Sequence, residues 1–239
     1  MKPEYKKITL TIIAIVLLAI VASYVVAKIR LKSVFGDLPP YQGQKIEYTG
    51  PGDEFTNKLP QDALEKRAQE LKELKKRIYQ NPKDYNLWIQ AGILKKFFNN
   101  YEGARDVWEY AAVVDPTIST AYFNLGNLYA TYLKDFPKAE LNYQKAVEIE
   151  GRVSSQYHIA FADFYDYVYV EKRGEVEKVL LNGIALMPSD ASLKVRVAEY
   201  YEKNGDLLKA IQYLKAAIEN DPSLLEVRKK IQTLESRSR

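Results

Sequence analysis

The chain has no cysteine and a single histidine, His158, among 239 residues. Without thiols there is no disulfide, no thiolate nucleophile and no cysteine-zinc cluster, and the redox compartment leaves no mark on the sequence. A hydroxyl–histidine–carboxylate triad would have to use His158, which lies in a helical pattern, and no nucleophile elbow or phosphate-cradling glycine loop occurs elsewhere. His158 is therefore read as a surface or groove residue, and no enzymatic activity, cofactor, metal site or small-molecule substrate is expected. Charge of one sign is scarce as well: 35 Lys and Arg face 31 Asp and Glu, a formal net charge of +4. Residues 1–32 carry six of those cations and one Glu, which leaves the remainder at −1. With no basic stripe to meet phosphates, nucleic acid is not an expected partner. The carboxylates are scattered among lysines at helical spacings, the pattern of solvated helix faces.

What the chain has at its start is one long uncharged run. Ile8 to Ala27 gives 20 residues without a charge, enough to cross about 30 Å of hydrocarbon as a helix. The reading is a basic tail at 1–7, a single transmembrane helix at 8–27 in contact with a lipid bilayer, and a Pro/Gly-rich linker at 28–60. A cleaved signal peptide is the rival, with small residues at Ala22 and Ala27, but its apolar region is normally shorter, about 7 to 15 residues. Three cations flank the run on each side (Lys2, Lys6, Lys7 and Lys28, Arg30, Lys32), so they do not fix orientation. The short tail is the segment more easily kept in the cytoplasm, which places the C-terminal domain outside, at the cell membrane. In the linker, Pro39-Pro40, Gly43, Gly50-Pro51-Gly52 and Pro60 break every periodic pattern. It reads as an extended, partly stiff tether holding the domain off the bilayer, with Phe35, Ile46, Tyr48 and Phe55 as apolar residues free to dock.

From residue 61 onward the apolar residues recur at helical spacing and the larger pattern itself repeats. Trp88, Ala91, Gly92, Ala104, Trp108, Ala111 and Pro116 form the clearest copy, and Pro82 to Pro116 and Pro188 to Pro222 are both intervals of 34 residues. Tyr122, Leu125, Gly126, Tyr129, Ala139, Tyr143 and Ala146 form a second copy, with one extra residue near Lys134 to Pro137 and Gly151 in place of the proline. The third, with Tyr157, Ala160, Phe161, Phe164, Val176, Leu180 and Gly183, needs three more residues between its helices, and Val197, Ala198, Tyr201, Ala210, Leu214 and Ala217 restore the spacing in the fourth. A 34-residue period resembles the tetratricopeptide repeat, a helix-turn-helix unit. The resemblance covers about 82–222 and implies an all-α, right-handed tetratricopeptide superhelix, a solenoid over 61–239 behind the one transmembrane helix. Its repeats are placed at 85–118, 119–153, 154–190 and 191–222, with a C-terminal capping helix at 223–236. Leu64, Ala68, Leu71, Leu74 and Ile78 mark a leading helix, the alternative being a coiled coil, for which barely two heptads are too short.

In tetratricopeptide proteins the partner usually lies in the concave groove, against set positions of each first helix. Carried over by this resemblance, the positions are Asn86, Ile89, Ile93, Lys96 and Phe97 in the first repeat and Thr120, Phe123, Asn127, Ala130 and Thr131 in the second. They are Ser155, His158, Ala162, Tyr165 and Asp166 in the third, and Ser192, Val195, Glu199 and Glu202 in the fourth. Of these, Asn86, Ile89, Ile93, Phe97, Phe123, Asn127, His158, Ala162 and Tyr165 are the expected partner-binding groove. Chaperone-binding members clamp a C-terminal carboxylate with two lysines, two asparagines and an arginine. Here Asn124 and Asn127 are kept, but Phe123, Ser155 and Ile159 stand where the lysines and arginine are needed, so the groove is read as apolar and amide-lined. The crowd of Phe161, Phe164, Tyr165, Tyr167 and Tyr169 admits two readings, packing between irregular repeats or an adhesive inner wall. The implied function is a membrane-anchored scaffold that binds a partner protein or peptide, in a bacterial envelope assembly. An organelle-surface targeting receptor with a cytosolic solenoid is the alternative.

Overall fold

The computed structural model of the chain describes residues 13, 15–26, 34–54 and 56–237. It divides into two compact units, 1–115 and 116–239. In the first unit, a 3-10 turn at Thr56–Lys58 leads into α1 (Gln61–Gln80), α2 (Tyr85–Phe97) and α3 (Tyr101–Val114). α1 buries Leu71, Leu74 and Ile78, which the three- and four-residue spacing puts on one stripe, and packs along α2. Asp84 caps α2 by accepting from the Asn86 amide, 3.0 Å. The reversal into α3 is made by Asn99, in the left-handed region at φ 54, and by Asn100, whose side chain accepts from the Gly103 amide at 3.0 Å. Gly92 is where α2 and α3 touch: a Cβ there would overlap the Trp108 indole, whose N–H donates to the Ile89 carbonyl at 3.1 Å.

Residues 34–54 are not a free tether. Phe35 and Ile46 are 2% and 3% exposed. The Phe35 ring lies 5.9 Å from Tyr79 on α1 and 6.1 Å from Tyr110 on α3, and the Tyr41 ring is 5.1 Å from Trp88 on α2. Polar bonds fix the register. Lys95 Nζ donates to the carbonyls of Lys45 (3.0 Å) and Tyr48 (2.9 Å), and Asn100 Nδ2 donates to Gln44 Oε1 at 3.0 Å. The Gln44 amide donates to Asp106 Oδ2 at 2.9 Å, and Tyr110 donates its hydroxyl proton to the Pro39 carbonyl at 2.5 Å. Gly50, at φ 109, passes so close to Asn100 that a Cβ would sit 3.1 Å from that side chain. Of the four apolar residues free to dock, Phe35 and Ile46 do so, Tyr48 stays 45% exposed, and Phe55 lies outside the described residues.

The second unit runs α4 (Ser119–Leu128), α5 (Phe136–Glu150), α6 (Ser155–Asp163), α7 (Val176–Leu186), α8 (Ala191–Lys203), α9 (Leu207–Asn220) and α10 (Leu225–Arg237). Each helix packs on the next. Asp135, Asp190 and Asp206 cap α5, α8 and α9 through the amides of Lys138, Leu193 and Lys209. Gly126 meets Tyr143, with a Cβ position 3.0 Å from the ring, while Ala198, Ala210, Leu214 and Ala217 are all buried. α10 closes the unit by burying Ile231 and Leu234 beneath a polar outer face.

The irregular windows differ from the sequence reading in a definite way. First helices begin at Tyr85, Ser119, Ser155, Ala191 and Leu225, so the successive intervals are 34, 36, 36 and 34 residues. The extra length is shared equally between the second and third windows. In both windows a π-helical turn, Tyr129–Leu133 or Phe164–Val168, ends the first helix and accommodates a residue that an α-helical turn could not; in the second window the other extra residue lengthens α5, which has 15 residues against 14 in α3 and α9. A 3-10 segment, Val170–Glu175, then joins the second π-turn to α7. The third window therefore starts at 155, one residue later than its expected 154.

Residues 15–26 are helical, with Leu17, Leu18, Ile20 and Val21 between 56% and 69% exposed. Among the described residues no helix is long and apolar enough to cross a membrane. Residues 8–12, 14 and 27 of the expected span lie outside the described residues.

Candidate partner-binding surface

The one-residue shift decides which side chains of α6 face the groove. His158, Ala162 and Tyr165 were expected there, yet they are 2%, 0% and 3% exposed. Counted from Ser155, the same positions fall on Ile159, Asp163 and Asp166; Ile159 and Asp163 line a cavity of about 490 Å³ together with Tyr167, the shifted counterpart of the expected Asp166, while Asp166 itself is buried. α8 contributes Ser192, Val195, Arg196 and Glu199, and the α10 region contributes Leu224 and Val227. Ile159, Val195 and Val227 supply an apolar floor, and Tyr167 stands over it 62% exposed.

An ion network beneath this floor holds α6 to α8. Arg196, 6% exposed, donates through Nε to Asp163 Oδ1 at 2.7 Å and through Nη2 to Asp166 Oδ2 at 2.9 Å. Lys203 Nζ donates to Asp166 Oδ1 at 2.6 Å. Burial alone would raise the Asp166 pKa, but the bonds from Lys203 and Arg196 outweigh it and hold the carboxyl below its usual range. Tyr167 is placed by two cations, Lys203 at 4.4 Å and Arg196 at 5.6 Å from its ring centre. The groove's own cation, Arg196, is thus already paired, with Asp163 spent on it, and Glu199 and Asp221 are the other carboxylates of the lining.

His158 has a different task. Its Nε2 lies 3.1 Å from the Gly151 carbonyl, and its ring fills the space over Gly183, where a Cβ would come within 2.9 Å. Burial pushes its pKa down against the opposing pull of that carbonyl. Tyr165 donates its hydroxyl proton to Glu140 at 2.7 Å, and burial followed by that bond raises its pKa. Tyr143, Phe161 and Phe164 pack with ring centres 5.2 to 5.9 Å apart, so the aromatic crowd is mainly interior. Tyr167 is its exposed member.

Phe123 is half-buried, edge-on to Tyr157 at 5.3 Å. Asn127 is half-buried too, spent on the Phe123 carbonyl (3.0 Å) and the Tyr143 hydroxyl (2.9 Å). In the first unit, Asn86 and Ile93 are exposed, and Ile93 lines a separate cavity of about 580 Å³ between α1 and α2 with Leu74, Arg67 and Arg77. Phe97 is half-buried with the Arg67 guanidinium 5.9 Å from its ring centre. Ile89, expected in the groove, is buried instead, on a helix that packs against both α1 and α3. Among the described residues no group of three or more His, Asp or Glu side chains could hold a metal ion.

The sequence profile of the tetratricopeptide repeat matches residues 119–152 and 191–224. Similar solved structures include MamA, at 17% identity and TM-score 0.52, covering 71% of this chain and 95% of that one. A MamA double mutant, RS-1 ArsTM, matches at 15% identity and TM-score 0.50, covering 75% and 99%. YrrB, described as a TPR protein with an unusual peptide-binding site, matches at 19% identity and TM-score 0.48, covering 69% and 83%. No curated protein matches the chain. The fold is an all-α tetratricopeptide-type solenoid, and a helix pair occupies each of the four expected windows. Proteins of this fold serve as protein–protein interaction scaffolds.

Proposed function

We propose that the protein is a membrane-anchored interaction scaffold whose second unit binds a segment of a partner protein along α6, α8 and α10. The observation that carries this reading is the groove over Ile159, Val195 and Val227, an apolar floor left open between first helices with the exposed ring of Tyr167 beside it. Anchoring through residues 8–27 is supported by the uncharged run and by residues 15–26, a helix whose large apolar side chains find no protein to cover them. The solenoid is proposed to lie outside the cytoplasm at the cell membrane, in an envelope assembly; the three cations on each side of the run leave that orientation to a topology reporter.

Two measurements test this. Ile159→Lys and Val227→Lys change half-buried groove side chains, and should abolish co-purification of partners from crosslinked membranes while leaving helicity and melting nearly intact. Unchanged co-purification places recognition elsewhere. Alkaline extraction of membranes with a C-terminal topology reporter tests the anchor: the chain should stay in the pellet with the reporter outside, and a chain released to the supernatant refutes it.

A further inference from the structure

Between the anchor and α1 the chain spans residues 28–60, which as a free extended segment would let the solenoid roam as far as about 110 Å from the bilayer. Residues 34–53 remove that freedom. Phe35 and Tyr41 are packed among Tyr79, Trp88 and Tyr110, and the fully buried Lys95 has the carbonyls of Lys45 and Tyr48 as its hydrogen-bond partners. Asn99 adds a bond to Asp53 at 2.5 Å.

We propose that this segment is a mount: it clamps the first unit at the membrane surface instead of leaving it to roam on a free tether. This rests on the anchor proposed above. Eight peptide steps separate Ala27 from Phe35, so the Phe35 Cα lies within about 29 Å of the Ala27 Cα whatever path the chain takes. The mount is fastened on the face made by α1, α2 and α3 around Trp88, and the separate cavity beside Ile93 stays open.

The test uses the full chain in liposomes and two insertions of the same flexible stretch, about twenty Gly/Ser residues, each adding roughly 25 Å r.m.s. of reach. One is placed after Ser33, upstream of the mount, and the other after Lys58, downstream of it. The natural chain has no cysteine, so Lys83→Cys, at an exposed position of the first unit, carries a single donor dye whose transfer to acceptor-labelled headgroups reports distance. A mount predicts that the Ser33 insertion lowers transfer, while the Lys58 insertion leaves it at the parent value because the docked segment still holds the unit. Equal losses from the two insertions mean a free tether and overturn the mount alone. A chain that fails to float with liposomes overturns it through the anchor. Phe35→Ala with Tyr41→Ala, checked for retained helicity, should restore length sensitivity to the Lys58 insertion, and continued insensitivity contradicts the assigned contacts.

Discussion

Lys95 is fully buried, and burial outweighs the favourable fields of Asp106 and Glu47 to pull its pKa down to about 8 from 10.5. Between those two values the unfolded chain holds a proton that the folded chain has lost, so stability rises with pH across that interval and the cost is paid in full below it. Chemical denaturation from pH 8 to 10 should show a gain of about 1–2 kcal/mol in the parent that is missing in Lys95→Met. Parallel curves would show that Lys95 is solvated. The range stops at pH 10 because Tyr110, pushed up to about 12 by burial, works in the opposite direction once an unfolded tyrosine ionises. His158 has the same sign at a lower pH: its folded pKa lies below its ordinary 6.5, so the unfolded chain takes up the proton first as pH falls. Relative to His158→Gln, the parent should lose melting temperature more steeply between pH 7 and 5, and equal slopes would return His158 to the surface.

At the scale of the elements, the helices and their caps were legible because they follow from spacing and from short polar residues at the turns. Asn99-Asn100, Asp135 and Asn204-Gly205-Asp206 stand at the turns between paired helices as caps or positive-φ residues. The small residues of the repeated pattern are the points of close helix contact, and Gly92→Ala should cost the first unit about 1–3 kcal/mol by driving a methyl into Trp108. Exposed Gln90→Ala on the same helix should change stability by less than about 0.5 kcal/mol, and equal melting of the two would misplace the helix contact. What spacing could not show is the second extra residue of the second window. The one at the π-turn was visible near Lys134 to Pro137, but the other lengthens α5, and with Gly151 standing where a proline landmark was expected, nothing marked the slip that buries His158, Ala162 and Tyr165. Ser192, Val195 and Glu199 were legible because their window keeps the regular period. The docking of residues 34–54 was hidden for another reason: it is held largely through backbone carbonyls, which every residue possesses and no motif records.

At the scale of the whole molecule the account joins a hydrophobic run, a docked segment and a groove into one scaffold, and its central claim is that the groove is where partners bind. Site-specific photo-crosslinking on intact membranes tests that most directly, with the photoreactive residue at Val195 on the groove floor and, as control, at Leu208, which is 76% exposed on α9. The account predicts a discrete crosslinked product from Val195 that disappears with Ile159→Lys, and none from Leu208. Equal products from both positions, or a Val195 product that survives Ile159→Lys, would contradict it.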